Sequence, residues 1–374
     1  MNYLISGGGT GGHIFPAVSI ANALRELDPQ CKILFVGAIG RMEMERVPQA
    51  GYEIVGLPVR GFNRAQPWKN ISVVYDMLRS MRQVRKIIRK FQPDAGVGVG
   101  GYASGAAMKV AARMGVPILL QEQNGFAGVT NKLLKNDAKK ICVAYDGMER
   151  FFPAEKIILT GNPVRQNLEG GNKEEALAHF KLHSGKPTIL IIGGSLGART
   201  INESIIAHLD EIEASGVQLI WQTGKTYYDK CAKALEEWKN KDCKSVSSPR
   251  AEQILCLPFL DRMDLAYAAA DLVVSRAGAS SISELCLLGK PSVLVPSPNV
   301  AEDHQTHNAM ALVRKDAAVL VKDDEAKDEL VKQMLALVSD EERLKTLHNN
   351  ILTLAQRDSA KRIAEEVMKL ANRS

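Results

Sequence analysis

Residues 3–17 read Tyr-Leu-Ile-Ser-Gly-Gly-Gly-Thr-Gly-Gly-His-Ile-Phe-Pro-Ala. A short apolar run gives way to glycines broken by one threonine, then to a histidine and a helix that opens around Pro16. Gly7, Gly8, Gly9, Gly11 and Gly12 let the backbone turn sharply and come close to a ligand. The amides at the helix start then face an oxygen-rich or anionic group. A second loop of this kind, Gly193-Gly194-Ser195-Leu196-Gly197-Ala198, follows the apolar run Thr188–Ile192. Two strand–glycine–helix loops imply two nucleotide-type domains, and 374 residues suffice for both.

Between and beyond the loops, short apolar runs alternate with helical patterns. Runs at 3–5, 33–36, 118–120, 188–192, 217–221, 271–274 and 292–295 read as buried strands. Amphipathic segments near 16–27, 70–91, 104–114, 200–214, 227–239, 281–288 and 304–314 read as helices. This alternation is the signature of an α/β fold with parallel sheets covered on both faces. The halves also resemble each other: Gly115-Val116-Pro117-Ile118-Leu119-Leu120 parallels Gly289-Lys290-Pro291-Ser292-Val293-Leu294, at nearly the offset that separates Gly7 from Gly193. The expected join is at Gly161-Asn162-Pro163-Val164-Arg165, where proline follows the strand-like 157–160. That gives domains at 1–162 and 163–354. A last helix over roughly 355–371, with no strand after it, is expected to cross back to the first domain, carrying the tail to residue 374.

Residues 7–12 match G-x-G-x-x-G, the phosphate loop of dinucleotide folds. A dinucleotide site also wants an acid closing the second strand to hold a ribose. Here the strand at 32–36 ends in Gly37-Ala38, and the nearest acid is Glu43. His13 is either a capping or packing histidine or a polar group aimed into a cleft; a helix start favours neutral imidazole, which accepts a proton at neutral pH. Thr10 can bond the same ligand. Gln121-Glu122-Gln123-Asn124-Gly125 follows a buried strand, where open α/β sheets bind ligands, though a solvated loop reads the same way. Arg165 is either a phosphate ligand or a surface arginine. Ser280 or Ser281 is expected to cap a helix bearing Glu284, an acid that answers the helix dipole or accepts two ribose hydroxyls. Asp303, His304 and His307 hold a metal-like spacing without further ligands, so no metal is assigned, and Gln305 suits a sugar better.

The six cysteines, at 31, 142, 231, 243, 256 and 286, form no C-x-x-C pair and read as free thiols in a reducing cytoplasm. No leader is legible ahead of the first strand, and no apolar stretch approaches the ~20 residues that span a bilayer. A net charge of +6 does not by itself indicate nucleic acid, and none is assigned. The distribution is more telling: Arg79, Arg82, Arg85, Lys86, Arg89 and Lys90 are six cations with no acid among them.

With these motifs assembled, the chain closely resembles the MurG family of bacterial peptidoglycan glycosyltransferases. The resemblance runs through GGTGGHIFPA at 8–17, GGYASG at 100–105, EQNGFAG at 122–128, GNPVR at 161–165, GGSLGA at 193–198, SRAGASSISEL at 275–285 and DHQTHNA at 303–309. It implies a GT-B fold, two Rossmann-like domains facing a cleft. The first would be the acceptor and membrane-facing domain, the second the UDP-GlcNAc-binding one. It implies transfer of N-acetylglucosamine from UDP-GlcNAc to the 4-hydroxyl of the muramyl sugar of lipid I, with inversion and without cofactor or metal. His13, or else Glu122, would be the general base. Donor contacts carried over by motif are Thr10, Gly11, Gly12, Asn124, Arg165, Ser195, Leu260, the turn Ala279, Ser280, Ser281, Ile282, Ser283 and Glu284, and Gln305. Thr306 stands where some relatives carry a second glutamine, and Gln121 where a histidine is common. No Asp-x-Asp metal motif is seen beside these residues. Rival readings are another GT-B enzyme on a UDP-sugar, such as a 2-epimerase or a diacylglycerol glycosyltransferase, and a non-catalytic nucleotide-sugar binder.

A lipid acceptor requires a membrane. Gly61-Phe62-Asn63-Arg64-Ala65-Gln66-Pro67-Trp68-Lys69 mixes aromatics with cations, and the helix after it places Met77, Met81, Val84, Ile88 and Phe91 on one face. That face reads either as core-facing or, with the loop, as docking on anionic headgroups. The expectation is a peripheral protein on the cytoplasmic leaflet, with cell-wall assembly proteins as possible partners.

Overall fold

The computed structural model describes residues 1–60, 70–164, 168–194, 196–240, 253–300 and 303–372. It divides into two compact units, Met1–Val164 with Gln356–Ser374, and Arg165–Ala355. In the first unit β1 (Asn2–Gly7), α1 (Gly11–Leu27), β2 (Lys32–Ala38), α2 (Glu43–Gln49), β3 (Glu53–Leu57), α3 (Asn70–Phe91), β4 (Ala95–Gly100), α4 (Tyr102–Arg113), β5 (Ile118–Glu122), α5 (Val129–Leu134), β6 (Lys140–Val143) and β7 (Ile157–Leu159) follow in turn. The strands pair in parallel in the order β3-β2-β1-β4-β5-β6-β7. The order reverses between β1 and β4, and such a switch point leaves a crevice at the strands' carboxyl ends.

The second unit repeats the scheme. It comprises α6 (Lys173–His179), β8 (Thr188–Ile192), α7 (Arg199–Ala207), α8 (Leu209–Ser215), β9 (Gln218–Gln222), α9 (Tyr228–Asn240), β10 (Ile254–Leu257), α10 (Met263–Ala269), β11 (Leu272–Ser275), α11 (Ala279–Leu288), β12 (Ser292–Leu294), α12 (His304–Val313), β13 (Val319–Leu320), α13 (Ala326–Val338) and α14 (Glu341–Leu352). Its parallel sheet runs β10-β9-β8-β11-β12-β13, with the switch between β8 and β11. The two Gly-x-Pro segments seen in the sequence are topological equivalents: Gly115 and Gly289, both left-handed (φ +87° and +62°), end α4 and α11 ahead of β5 and β12.

The chain then returns to the first unit as α15 (Ser359–Ala371), which packs on α1. Ile363, Ala364 and Val367 share a core with Ile20, Ala21 and Leu24. Arg362 donates to the Leu159 carbonyl at 2.7 Å. Gly161 (φ +81°) lies so close to this returning segment that a Cβ there would fall 2.2 Å from Cβ of Gln356.

Several elements differ from their sequence outlines. α1 starts at Gly11, ahead of Pro16, because the Thr10 carbonyl already accepts from the amides of His13 and Ile14. The segment 200–214 is two helices, broken at His208, so that Leu209 and Ile212 turn into the core. β4, Ala-Gly-Val-Gly-Val-Gly, has no run of branched side chains to betray it. Its glycines make room for α4, since a Cβ on Gly98 would meet Met108 Cγ at 2.8 Å. The apolar stripe of α3 faces the core: Val84 and Ile88 are buried, and Met77, Met81 and Phe91 pack against the same cluster. Its opposite face exposes Tyr75, Leu78 and all six cations between 79 and 90. The aromatic loop 61–69 lies outside the described residues. No described helix is long and apolar enough to cross a membrane. The described cysteines, Cys31, Cys142, Cys231, Cys256 and Cys286, are free.

Candidate functional site

The second unit holds a cavity of about 510 Å³ at its switch point. The glycine loop after β8 forms one wall, through Gly193, Gly194, Gly197 and Ala198. Gly278 and Ser281 come from the start of α11, and Gln305 from the first turn of α12. Arg199 and Thr200 open α7 on the same cavity. None of the cap residues of α7, α11 and α12 makes a side-chain cap hydrogen bond. Three helix N-termini facing one polar cavity favour negative charge there.

Local packing fixes this lining. Gly197 (φ +86°) is pressed against the next strand's loop, where a Cβ would fall 2.0 Å from the Thr223 carbonyl oxygen. Gln222 donates to the Gly194 carbonyl at 3.0 Å, holding the loop from below. Gln305 Oε1 accepts the Ser297 amide at 2.9 Å, which aims the amide NH₂ the other way. Glu284 lies deeper in α11, nearly buried, and accepts the Tyr267 hydroxyl at 2.9 Å.

At the switch point of the first unit, His13 is the third residue of α1. Its Nδ1 lies 3.0 Å from the Gly8 carbonyl oxygen and 3.3 Å from Thr10 Oγ1. A carbonyl only accepts, so the contact to Gly8 puts the proton on Nδ1 and the lone pair of the neutral ring on Nε2. The ring lies over Gly100, where a Cβ would come within 2.8 Å of Nε2. At the end of β5, Glu122 is buried and accepts from the Asn124 amide (3.2 Å), the Gly128 amide (3.0 Å) and Asn131 Nδ2 (2.9 Å). Burial pushes its carboxyl above the usual value, and these hydrogen bonds pull it back in part. The carboxylate thus ties the turn 124–128 to the strand end.

The glycosyltransferase family 28 N-terminal domain model matches residues 3–143, and the family 28 C-terminal domain model matches residues 188–366. The chain belongs to glycosyltransferase family 28. A relative from Parabacteroides distasonis, named UDP-N-acetylglucosamine--N-acetylmuramyl-(pentapeptide) pyrophosphoryl-undecaprenol N-acetylglucosamine transferase, is 60% identical over 99% of this chain and 98% of its own. The crystal structure of Acinetobacter baumannii MurG superposes with a TM-score of 0.79 at 26% identity, covering 98% of this chain and 99% of that one. A UDP-GlcNAc 2-epimerase from Neisseria meningitidis, solved with UDP-GlcNAc, gives 0.64 at 14% identity over 99% of this chain and 100% of its own, a likeness of fold alone. The fold is GT-B-like, with two α/β domains.

On this family 28 frame the sequence-derived site residues fall in distinct places. Ser281 and Gln305 line the cavity with the glycine loop. Ala279, Ser280, Ile282 and Ser283 share the first turns of α11. Ile282 is buried, so it offers only backbone, and Ser283 Oγ donates to the Ala279 carbonyl. The expected serine cap is corrected: Gly278 is the cap residue, in extended conformation, and Ser280 and Ser281 lie inside the helix. A bare glycine there keeps the helix end open to the cavity. Leu260 follows β10 and is buried. Thr10 is the cap residue of α1, Gly11 and Gly12 begin the helix, and Asn124 sits in the turn held by Glu122. Arg165 and Ser195 lie outside the described residues. Thr306 donates to Asp303 Oδ1 at 2.8 Å.

Sequence reasoning missed Arg276 and Asp323, which pair with each other at the cavity, Asp323 also taking the Thr200 hydroxyl at 3.0 Å. Arg276 stands inside the quoted SRAGASS motif and was legible. Asp323 follows a two-residue strand too short to register.

Proposed function

We propose that this chain transfers N-acetylglucosamine from UDP-GlcNAc to the muramyl 4-hydroxyl of lipid I, giving lipid II and UDP with inversion at the anomeric carbon. The supporting observation is the cavity at the β8/β11 switch, lined by a glycine loop and three helix N-termini. Its size and polarity suit a nucleotide diphosphate. The second unit is the donor domain. Glu284 takes ribose hydroxyls, the main chain at Leu260 reads the base, and Gln305 reads the sugar. The first unit takes the acceptor.

In the transfer, His13 Nε2 accepts the proton of the acceptor hydroxyl as its oxygen bonds to the anomeric carbon. The bond from that carbon to the diphosphate oxygen breaks, and its electron pair leaves on UDP. Helix-start amides and Arg165 stabilise the departing charge. Glu122, already engaged with the amides of Asn124 and Gly128 and with Asn131, positions the Asn124 turn. A single-turnover assay with UDP-GlcNAc and a short-chain lipid I analogue tests the reading. A disaccharide product supports it; binding without transfer, or epimerisation of the donor, overturns it. In calorimetry, Glu284→Gln is expected to weaken UDP about tenfold, the scale of one charge-assisted hydrogen bond; unchanged affinity would remove Glu284 from the ribose site.

The outer face of α3, not its core-facing apolar stripe, is the surface free to meet a membrane. Tyr75 and Leu78 are more than half exposed, and beyond them the six cations make no ion pair among the described residues. We place this face on the anionic cytoplasmic leaflet, where each cation contributes roughly 1 kcal/mol. Replacing Arg82 and Arg89 with glutamine should cut sedimentation with anionic vesicles by about 30-fold in partition, with weaker salt dependence. Binding that ignores both changes would count against the surface.

A further inference from the structure

The two glycine loops differ in what fills them. In the second unit the loop borders the open cavity. In the first unit the carboxylate of Glu43 lies against it. Glu43, the first residue of α2, is fully buried. Its Oε2 accepts the Gly9 amide at 2.9 Å and its Oε1 the Ala38 amide at 3.0 Å. A Cβ on Gly8 would fall 2.2 Å from Oε1, and one on Gly37 would fall 2.6 Å from Cγ. Both positions are vacated for this side chain, so the first loop is occupied by the protein's own anion.

The Gly9 N–H belongs to the same peptide group as the Gly8 carbonyl. That carbonyl is the partner of His13 Nδ1, at 3.0 Å. We infer that Glu43 is a positioning residue for His13, acting through the Gly8–Gly9 peptide. Carboxylate, amide and imidazole form a line of two hydrogen bonds joined by one conjugated, planar group. A negative charge on the N–H end raises electron density on the carbonyl end, and each bond strengthens the other. The polarised carbonyl holds the proton on Nδ1, keeps the lone pair on Nε2, and answers the imidazolium charge once Nε2 takes a proton. Only that one proton moves, from acceptor hydroxyl to Nε2. Thr10 Oγ1, 3.3 Å away, is the other group on Nδ1. The catalytic consequence rests on His13 being the base; the tautomer itself does not.

Ring-nitrogen NMR on the full chain tests this without substrate. The neutral His13 ring is expected to carry its proton on Nδ1. In Glu43→Gln one loop amide faces an NH₂ group, and the ring should become a mixture of tautomers. With lipid I analogue, kcat should fall about 10-fold or more, as for other outer-shell partners of a histidine. KM for UDP-GlcNAc should stay within about twofold of its original value, and Glu43→Asp should restore part of the turnover. Unchanged UDP affinity in calorimetry shows that the second unit is intact. An Nε2–H ring in the unaltered chain overturns the inference whether or not the variants fold. So does a glutamine variant with the original tautomer and kcat. If His13→Ala keeps its turnover while the tautomer still follows Glu43, the base assignment fails and the positioning stands.

Discussion

His13→Ala lowers kcat by about 10²- to 10⁴-fold at saturating lipid I analogue, the range of a lost general base. UDP affinity in calorimetry stays within about twofold, because the cavity we propose for UDP belongs to the second unit. The separation of the two readouts is the point. A histidine that merely packed at the start of α1 would, when truncated, soften the first unit and lower its melting temperature with little specific loss of turnover. Near-normal kcat with an unchanged melting temperature would remove His13 from the chemistry.

The second large effect belongs to a glycine. Gly197→Ala puts a methyl group 2.0 Å from the Thr223 carbonyl oxygen and 2.9 Å from Tyr227 Cδ2, on a backbone at φ +86°. The carbonyl cannot yield, because Asn202 donates to it at 2.9 Å and the Thr223 amide is held by Leu257. The loop must therefore leave its seat and take the wall of the cavity with it. Losing two charge-assisted contacts to a diphosphate costs about 3–6 kcal/mol, so UDP binding should weaken by at least about 100-fold. Gly216→Ala is the control. Its φ of +74° is just as left-handed, but the added methyl meets open space. About 1 kcal/mol of stability should go and UDP affinity should hold. Equal losses of affinity from both substitutions would mean that backbone strain, not the Gly197 contact, shapes the site.

How far the site was legible depended on where each residue's information lies. β1 and β8 announced themselves because branched apolar runs end in glycine loops, and a loop that must approach a ligand can hardly be built otherwise. The start of α11 was legible for the same reason, through Gly278. β4 was not, since its strand character comes from pairing between β1 and β5 and its glycines from the demand of Met108 for space. Glu43 stood in plain view as an acid after the second strand. Its burial against Gly8 and Gly37 is a tertiary fact, and no local pattern distinguishes it from a solvated carboxylate. The apolar stripe of α3 carried two meanings at sequence level, core or membrane, and only packing against the sheet separates them.

The first unit is completed by α15, which is made only after the whole of the second unit. Ile363 and Val367 enter a core whose other members, Ile20 and Leu24, are translated more than three hundred residues earlier. During synthesis α1 therefore waits with a bare apolar flank until α15 clears the ribosome, while the second unit, contiguous in sequence, can already be folded. A chain cut short before Ser359 would leave that flank open for good, so the state of the first unit reports whether synthesis has passed through α15.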